Sequence, residues 1–203
     1  MGVCYIVGAG ECNELNITKN NDDIVIAADG GLKYLVDFGV KADIIIGDFD
    51  SLGDIPEGEN VIKLNPVKDV TDMYAAAEIG IEKGFSEFYI YGACGGRIDH
   101  TLANIQLIVS LSQKGIKAYI RDGKTVITAL HNSSIAFSDE YKGYISVFSH
   151  SDKCTDVNIK GLKYTLENAT ISNSFPLGVS NEFIGCSSEI SIGNGTAIVI
   201  YNK

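Results

Sequence analysis

Two aspartates set two apart, Asp48 and Asp50, follow three β-branched residues in the run Ile44-Ile45-Ile46-Gly47-Asp48-Phe49-Asp50-Ser51. In an extended chain, residues two apart point the same way, so both carboxylates can face one space. Two anions that close repel each other unless a cation lies between them. A hard, oxygen-seeking ion such as Mg²⁺, itself holding a polyphosphate, would fill that role. A surface turn is the competing reading, because Gly, Asp and Ser are also turn residues. A third carboxylate, Asp72, stands in Lys68-Asp69-Val70-Thr71-Asp72. There Asp69 is a good N-cap, and Asp72 at the third helical position suits both cap and dipole. The preceding Lys68 and the helix N-terminus also suit a phosphate, which leaves Asp72 open as a further metal ligand. Gly95-Gly96-Arg97-Ile98-Asp99-His100, followed by Asn104, begins another helix. At ~100° per residue, Arg97, His100 and Asn104 fall within about 60° of one another. The planar fork of Arg97 can hold two phosphate oxygens. His100 is either part of that ligand surface or an ordinary helix-start hydrogen bonder.

These residues need a scaffold, and the first 120 or so residues alternate strand and helix patterns. Apolar runs at Cys4–Val7, Ile24–Ala28, Ile44–Ile46, Val61–Leu64, Phe88–Tyr91 and Ala118–Ile120 read as strands. A short helix with Leu32, Leu35 and Val36 inward follows Gly31, and residues 69–83 and 97–114 read as longer helices closed by Gly84 and Gly115. In the last helix, Ile98, Leu102, Ile105 and Val109 form the expected buried seam. This alternation predicts an α/β fold, a Rossmann-like parallel sheet flanked by helices. In such sheets ligands bind outside the carboxyl ends of the strands. Four of the strand runs end in Gly or Asp clusters, at Gly8-Ala9-Gly10, Asp29-Gly30-Gly31, Gly47 to Asp50 and Gly92 to Gly96, and would converge on that edge.

Beyond about Asp122 the pattern changes. Short β-rich runs at Thr125–Leu130, Ser134–Phe137, Tyr144–Ser149, Val157–Ile159, Tyr164–Leu166, Thr170–Ser172, Glu189–Ile192 and Ala197–Tyr201 are separated by turn residues. They predict a small antiparallel β-sandwich or barrel. The expected domains are therefore residues 1–125 and 130–203, and Asn194-Gly195 reads as a hairpin turn.

Composition narrows the function classes. A formal net charge of −10 argues against non-specific nucleic-acid binding and against anionic membranes. No apolar run approaches the ~20 residues that span a bilayer. Five cysteines, at 4, 12, 94, 154 and 186, form no C-x-x-C pair, so neither a disulfide framework nor a zinc site is indicated. The expectation is a reduced, cytoplasmic protein. A P-loop is absent, and Gly8-x-Gly10 lacks the third glycine of a dinucleotide fingerprint.

Taken in order, Asp29-Gly30-Gly31, Gly47-Asp48-Phe49-Asp50-Ser51, Lys68-Asp69-x-Thr71-Asp72 and Gly96-Arg97-x-Asp99-His100 resemble the thiamine pyrophosphokinase family. The similarity continues through Gly161-Leu162-Lys163-Tyr164-x-Leu166 and Ser180-Asn181-Glu182. The resemblance implies transfer of a pyrophosphoryl group from ATP to the hydroxyethyl oxygen of thiamine, giving thiamine diphosphate and AMP, with Mg²⁺ and as a homodimer. It assigns Asp48, Asp50 and Asp72 to magnesium, and Asp29, Gly30, Lys68, Arg97, His100 and Asn104 to ATP. It places Asp50, Asp72, Arg97 and Asp99 at the reacting groups, and Tyr164, Ser180 and Asn181 against thiamine. Tyr164 stands where some relatives have Trp, and Gly178 where some have Ser. A Mg²⁺-dependent phosphohydrolase and a non-catalytic nucleotide- or thiamine-binding regulator are the alternative readings of the same residues.

Overall fold

The computed structural model describes residues 2–49, 58, 60–64 and 70–203. The chain divides into two compact units, Met1–Leu107 with Ile120–Gly123, and Ile108–Tyr119 with Lys124–Lys203.

The first unit contains β1 (Cys4–Val7), β2 (Ile24–Ala28), α1 (Gly31–Asp37), β3 (Ile44–Gly47), β4 (Val61–Lys63), α2 (Asp72–Glu82) and β5 (Glu87–Tyr91), with the start of α3 (Ile98–Gln113) and the end of β6 (Lys117–Asp122). Its strands lie in the order β5-β1-β2-β3-β4. All four pairings are parallel, as the strand–helix alternation predicts. The apolar runs are buried on both faces: Val25 and Ala27 meet Val7, Leu35 and Tyr91 on one side, while Ile26 and Ile46 are also covered. Register then fixes where the glycine clusters emerge. Val7 lies opposite both Ala27 and Tyr91, and Ala28 opposite Ile46. The segments after β1, β2, β3 and β5 therefore leave the sheet at one edge. The strand order reverses direction at β1, with β2 to β4 on one side and β5 on the other, which is where open α/β sheets form crevices.

Three local expectations change. Thr71 caps α2, its Oγ1 accepting from the Tyr74 N–H at 3.2 Å, and Asp72 is the first helical residue rather than the third. Asp69 lies outside the described residues. Val36 on α1 is exposed while Leu35 is fully buried. On α3 Asn104, Leu107, Ile108, Val109 and Leu111 are buried; of the expected seam, Val109 is buried and Ile105 half-buried, while Ile98 and Leu102 are 77% and 58% exposed. The helix carries apolar residues on more than one side, and the side chosen is the one on which Asn104 can reach a main-chain carbonyl.

The second unit is a sandwich rather than a barrel. It contains β7 (Thr125–His131), β8 (Ser134–Phe137), β9 (Tyr144–Ser149), β10 (Lys153–Lys160), β11 (Leu166–Ser172), β12 (Gly178–Glu182), β13 (Ser188–Asn194) and β14 (Thr196–Asn202). One layer runs β12-β9-β14-β7 and the other β11-β10-β13-β8, with antiparallel pairing in both. Alternating side chains such as Ile145, Val147, Val157, Ile159, Ile190, Ile192 and Val199 fill the space between them. Asn194-Gly195 is not a hairpin. β13 pairs with β10 and β8, and β14 with β7 and β9, so the chain changes layers there. A second layer-changing corner, at Asn132 between β7 and β8, is stitched to it. The Asn132 N–H donates to the Gly195 carbonyl at 3.1 Å, and the Gly195 N–H donates to Asn132 Oδ1 at 2.8 Å. Tyr164 precedes β11 instead of beginning a strand, and β12 is an additional strand.

Candidate active site

The strand ends of the first unit enclose a cavity of about 410 Å³. Its walls come from the segment after β1 (Gly8 to Glu11), Ala28 and Asp29 at the end of β2, Thr71 to Met73 at the start of α2, the segment after β5, and Arg97, His100 and Asn104 on and before α3. Backbone is the main lining material on two sides, because bulk is excluded there. Gly92 has φ +58°, and a Cβ added to it would lie 2.3 Å from the Gly8 carbonyl oxygen. Only glycine satisfies both conditions. The two segments are tied by main-chain bonds, Gly8 N–H to Tyr91 O at 2.9 Å and Gly10 N–H to Gly92 O at 2.8 Å.

Asp29 occupies the turn from β2 into α1 with φ +49°, a conformation uncommon outside glycine. Its N–H donates to the Ile46 carbonyl at 2.8 Å, and its own carbonyl accepts from the Leu32 N–H at 3.2 Å. A Cβ on Gly47 would lie 3.0 Å from the Asp29 Cα. The end of β3 is thus drawn against the β2 turn, and half-buried Asp48 is the next residue along. Phe49, fully buried and with φ +61°, anchors the chain immediately beyond it. Asp50 and Lys68 lie outside the described residues.

Arg97 and Asp99 form an exposed, forked ion pair. Arg97 Nη2 donates to Asp99 Oδ2 at 2.6 Å and Arg97 Nε to Oδ1 at 3.1 Å, while the His100 N–H donates to Oδ1 at 3.0 Å. The hydrogen bond from Arg97, aided by that main-chain donor, holds the Asp99 carboxyl below its ordinary range. The same pairing raises Arg97. Asn104 is buried, and its Nδ2 donates to the Ala93 carbonyl at 2.8 Å, so its amide holds the glycine-rich segment after β5. Cys94 sits in that segment, and burial pushes its thiol up to about 11, which leaves it protonated and unsuited to nucleophilic attack.

Asp29, Asp72, Arg97, His100 and Asn104 are thus brought to one cavity, with Gly30 capping α1 beside Asp29. Among the described residues, no three His, Cys, Asp or Glu side chains cluster as a preformed metal site. Glu11, Tyr34 and Thr71 also line the cavity and were not singled out in the sequence. Glu11 directly follows Gly8-Ala9-Gly10, and Thr71 precedes Asp72, so adjacency to a strand-end motif was the available signal for both. Tyr34, inside α1, carried none.

The other expected contact residues lie in the second unit. Tyr164 is 60% exposed, and Lys163 Nζ sits 5.6 Å from the centre of its ring. Exposed Ser180 has φ +59° at a bulge in β12, its N–H donating to Ser146 Oγ at 3.0 Å. Asn181 is buried, and its amide is engaged with the Tyr164 backbone.

A parallel sheet whose glycine-rich ends surround carboxylates, a guanidinium and a helix start defines an α/β domain with its crevice at the carboxyl ends of the strands. Residues 15–120 match the family described as thiamin pyrophosphokinase, catalytic domain, and residues 132–197 match thiamin pyrophosphokinase, vitamin B1 binding domain. The chain belongs to the thiamin pyrophosphokinase family. The thiamine pyrophosphokinase of Bacillus subtilis (strain 168) is 32% identical over 211 residues, covering 98% of both chains. A crystal structure of thiamine pyrophosphokinase from Bacillus subtilis superposes with a TM-score of 0.85 at 28% identity, over 99% of both chains. One from Geobacillus thermodenitrificans gives 0.84 at 26% identity, over 99% of this chain and 97% of the other.

Proposed function

We propose that this chain transfers the pyrophosphoryl group of ATP to the hydroxyethyl oxygen of thiamine, releasing AMP. The observation that carries the reading is the cavity at the reversal of strand order, lined by Asp29, Asp72, Arg97 and His100, in a chain whose other unit matches a vitamin B1 binding domain. Transfer of this kind needs positioning and charge neutralisation more than covalent catalysis. The absence of an activated thiol at Cys94 agrees with that demand.

Magnesium suits the donors available. Asp29 and Asp72 present oxygen to the cavity, Asp48 follows the strand end beside Asp29, and hard cations prefer such ligands. We assign Asp48, Asp50 and Asp72 to the ion, which when bound would neutralise phosphate charge. Asp29, Gly30, Lys68, His100 and Asn104 are assigned to the nucleotide, with Arg97 on its phosphates.

Arg97 and Asp99 work as a pair in this scheme. While Arg97 grips Asp99, the carboxylate is a weak proton acceptor. An arriving phosphate would compete for the guanidinium fork, and Asp99 is assigned to the reacting hydroxyl or the metal. In the second unit, Tyr164, Ser180 and Asn181 are assigned to thiamine, whose cationic thiazolium or aminopyrimidine an aromatic face suits.

We further propose a cytoplasmic homodimer. Exposed Phe175, Leu177 and Val179 lead along β12, the terminal strand of its layer, and support an interface between copies. The primary test is to incubate the purified chain with Mg-ATP and thiamine and to quantify thiamine diphosphate. Its formation in proportion to ATP consumed is the expected result. ATP hydrolysis independent of thiamine would favour a phosphohydrolase, and ligand binding without turnover would favour a regulator.

A further inference from the structure

The chain has two methionines, Met1 and Met73. Met73 follows Asp72 in the first turn of α2, is 7% exposed and lines the cavity. Its side chain lies across the floor at Gly8. A Cβ added to Gly8 would overlap Met73 Cε and lie 2.9 Å from the Gly92 carbonyl oxygen, so the methyl group fills the space that glycine leaves. An unbranched thioether suits such an irregular gap. The start of α2 thus meets the segment after β1 through an oxidisable side chain, on the wall that also carries Asp72.

Peroxides attack thiolates, and the three thiols of the first unit are held protonated. Burial raises Cys4 to about 12 and Cys94 to about 11, and it raises Cys12 as well. A thioether has no proton to lose, so this protection does not extend to Met73, which is reached from the cavity. Oxidation puts an S=O oxygen, a strong acceptor, on that side chain. The floor offers it no free donor. The N–H groups of Gly8, Gly10 and Glu11 already donate to the carbonyls of Tyr91, Gly92 and Cys94, and the Gly92 oxygen beside the methyl group is another acceptor. A buried polar group without a partner is unfavourable. The sulfoxide oxygen therefore turns into the cavity, where it takes up room and sets negative partial charge on the wall shared with Asp72, against an anionic nucleotide.

We propose that Met73 is a site of reversible oxidation by peroxides, and that its sulfoxide closes the cavity to nucleotide. A sulfur lone pair attacks the nearer peroxide oxygen, the O–O bond breaks and an S=O bond forms. The other oxygen leaves with the proton as water or an alcohol, so sulfur gives up two electrons and the peroxide takes them. The inference rests on the reading of the cavity as the nucleotide site and adds a control on it.

The full chain is treated with hydrogen peroxide, with and without Mg-ATP, and then with dithiothreitol to recover reversibly oxidised thiols. Peptide mass mapping locates the added oxygen, calorimetry gives the Kd for Mg-ATP, and thermal melts report the fold. Met73→Leu is treated in parallel, each protein being compared with its own untreated sample. One added oxygen is expected at Met73. With Mg-ATP at ten times its Kd, that oxidation is expected to slow about tenfold, because only about a tenth of the cavities stay open. The sulfoxide is expected to weaken Mg-ATP binding at least about fivefold, the equivalent of one unpaired polar group. Methionine sulfoxide reductases for both epimers are expected to restore it. Met73 left unmodified, an oxidation rate indifferent to Mg-ATP, or a fully oxidised Met73 with unchanged affinity would each overturn the proposal. So would an equal loss of binding in treated Met73→Leu, or a melting temperature that falls in step with binding, since either marks general damage. Failure of the functional reading is separate: the untreated chain would form no thiamine diphosphate, while nucleotide binding and its response to oxidation would still be measured.

Discussion

Replacing Gly10 by alanine tests whether the cavity floor is built as described. Gly10 carries no positive-φ requirement, so the substitution isolates close approach from backbone conformation. A Cβ there would lie 2.5 Å from the Cys94 carbonyl oxygen and 2.7 Å from that of Gly92. Both are main-chain atoms, and each must retreat by the better part of an ångström to reach ordinary contact. Those same oxygens accept from the Glu11 N–H at 2.8 Å and the Gly10 N–H at 2.8 Å. Relief of the clash therefore weakens two hydrogen bonds, at about 0.5–1.5 kcal/mol each. Overpacking adds about 1–3 kcal/mol. The expected loss is on the order of 2–6 kcal/mol in urea unfolding, with a raised KM for ATP where the variant remains folded. Gly96→Ala supplies the contrast. It has φ +63° but nothing within 4 Å of an added Cβ, so only the left-handed conformation is penalised, at about 1–2 kcal/mol. If Gly10→Ala matched the unsubstituted chain in both unfolding and KM, the segments after β1 and β5 would not meet as described.

Two further substitutions probe charge. Asp72→Asn is expected to cut turnover by more than about 100-fold, since metal neutralisation of phosphate contributes several kcal/mol to such transition states. The amide keeps the size and helix position, so circular dichroism should be unchanged, and near-normal turnover would mean that the metal is held elsewhere. Asp23 concerns stability. Burial acts to raise its pKa, but N–H donors from Asn20 at 2.8 Å and Val3 at 2.7 Å, with the Asn20 side chain and nearby Lys19, outweigh burial and lower it. A lowered folded value means the stabilisation is complete above the unfolded value near ~3.9 and is lost as pH falls through the folded one. Asp23→Asn should therefore cost about 1.5–3 kcal/mol at neutral pH and progressively less in acid. A cost independent of pH would assign the effect to packing instead.

The parallel half was legible because strand interiors there are continuous apolar runs and their ends are polar. Ile44 to Ile46 followed by Gly47 and Asp48 states both a buried strand and the site edge in five residues. What failed was information held by a partner far away in sequence. On α3 the expected seam holds at Val109 but fails at Ile98 and Leu102, and the buried side is the one on which Asn104 satisfies the Ala93 carbonyl. Asn194-Gly195 has the composition of a hairpin, yet the strands it joins belong to opposite layers of the sandwich. β12 was not visible because Gly178–Glu182 lacks an apolar run and is bulged. The polar residues that line the cavity, Asp29, Asp72, Arg97, His100 and Asn104, carry strand-end and helix-start motifs, whereas Tyr34, which also lines it, has no local mark.

The proposed transfer is an attack on the β-phosphorus of ATP by the thiamine hydroxyl. ATP labelled at the β-phosphorus, incubated with magnesium, thiamine and the chain, follows that atom directly. Such an attack puts the label in thiamine diphosphate and releases an unlabelled AMP one for one. Label retained in ADP, with thiamine monophosphate or free phosphate as the other product, would contradict it.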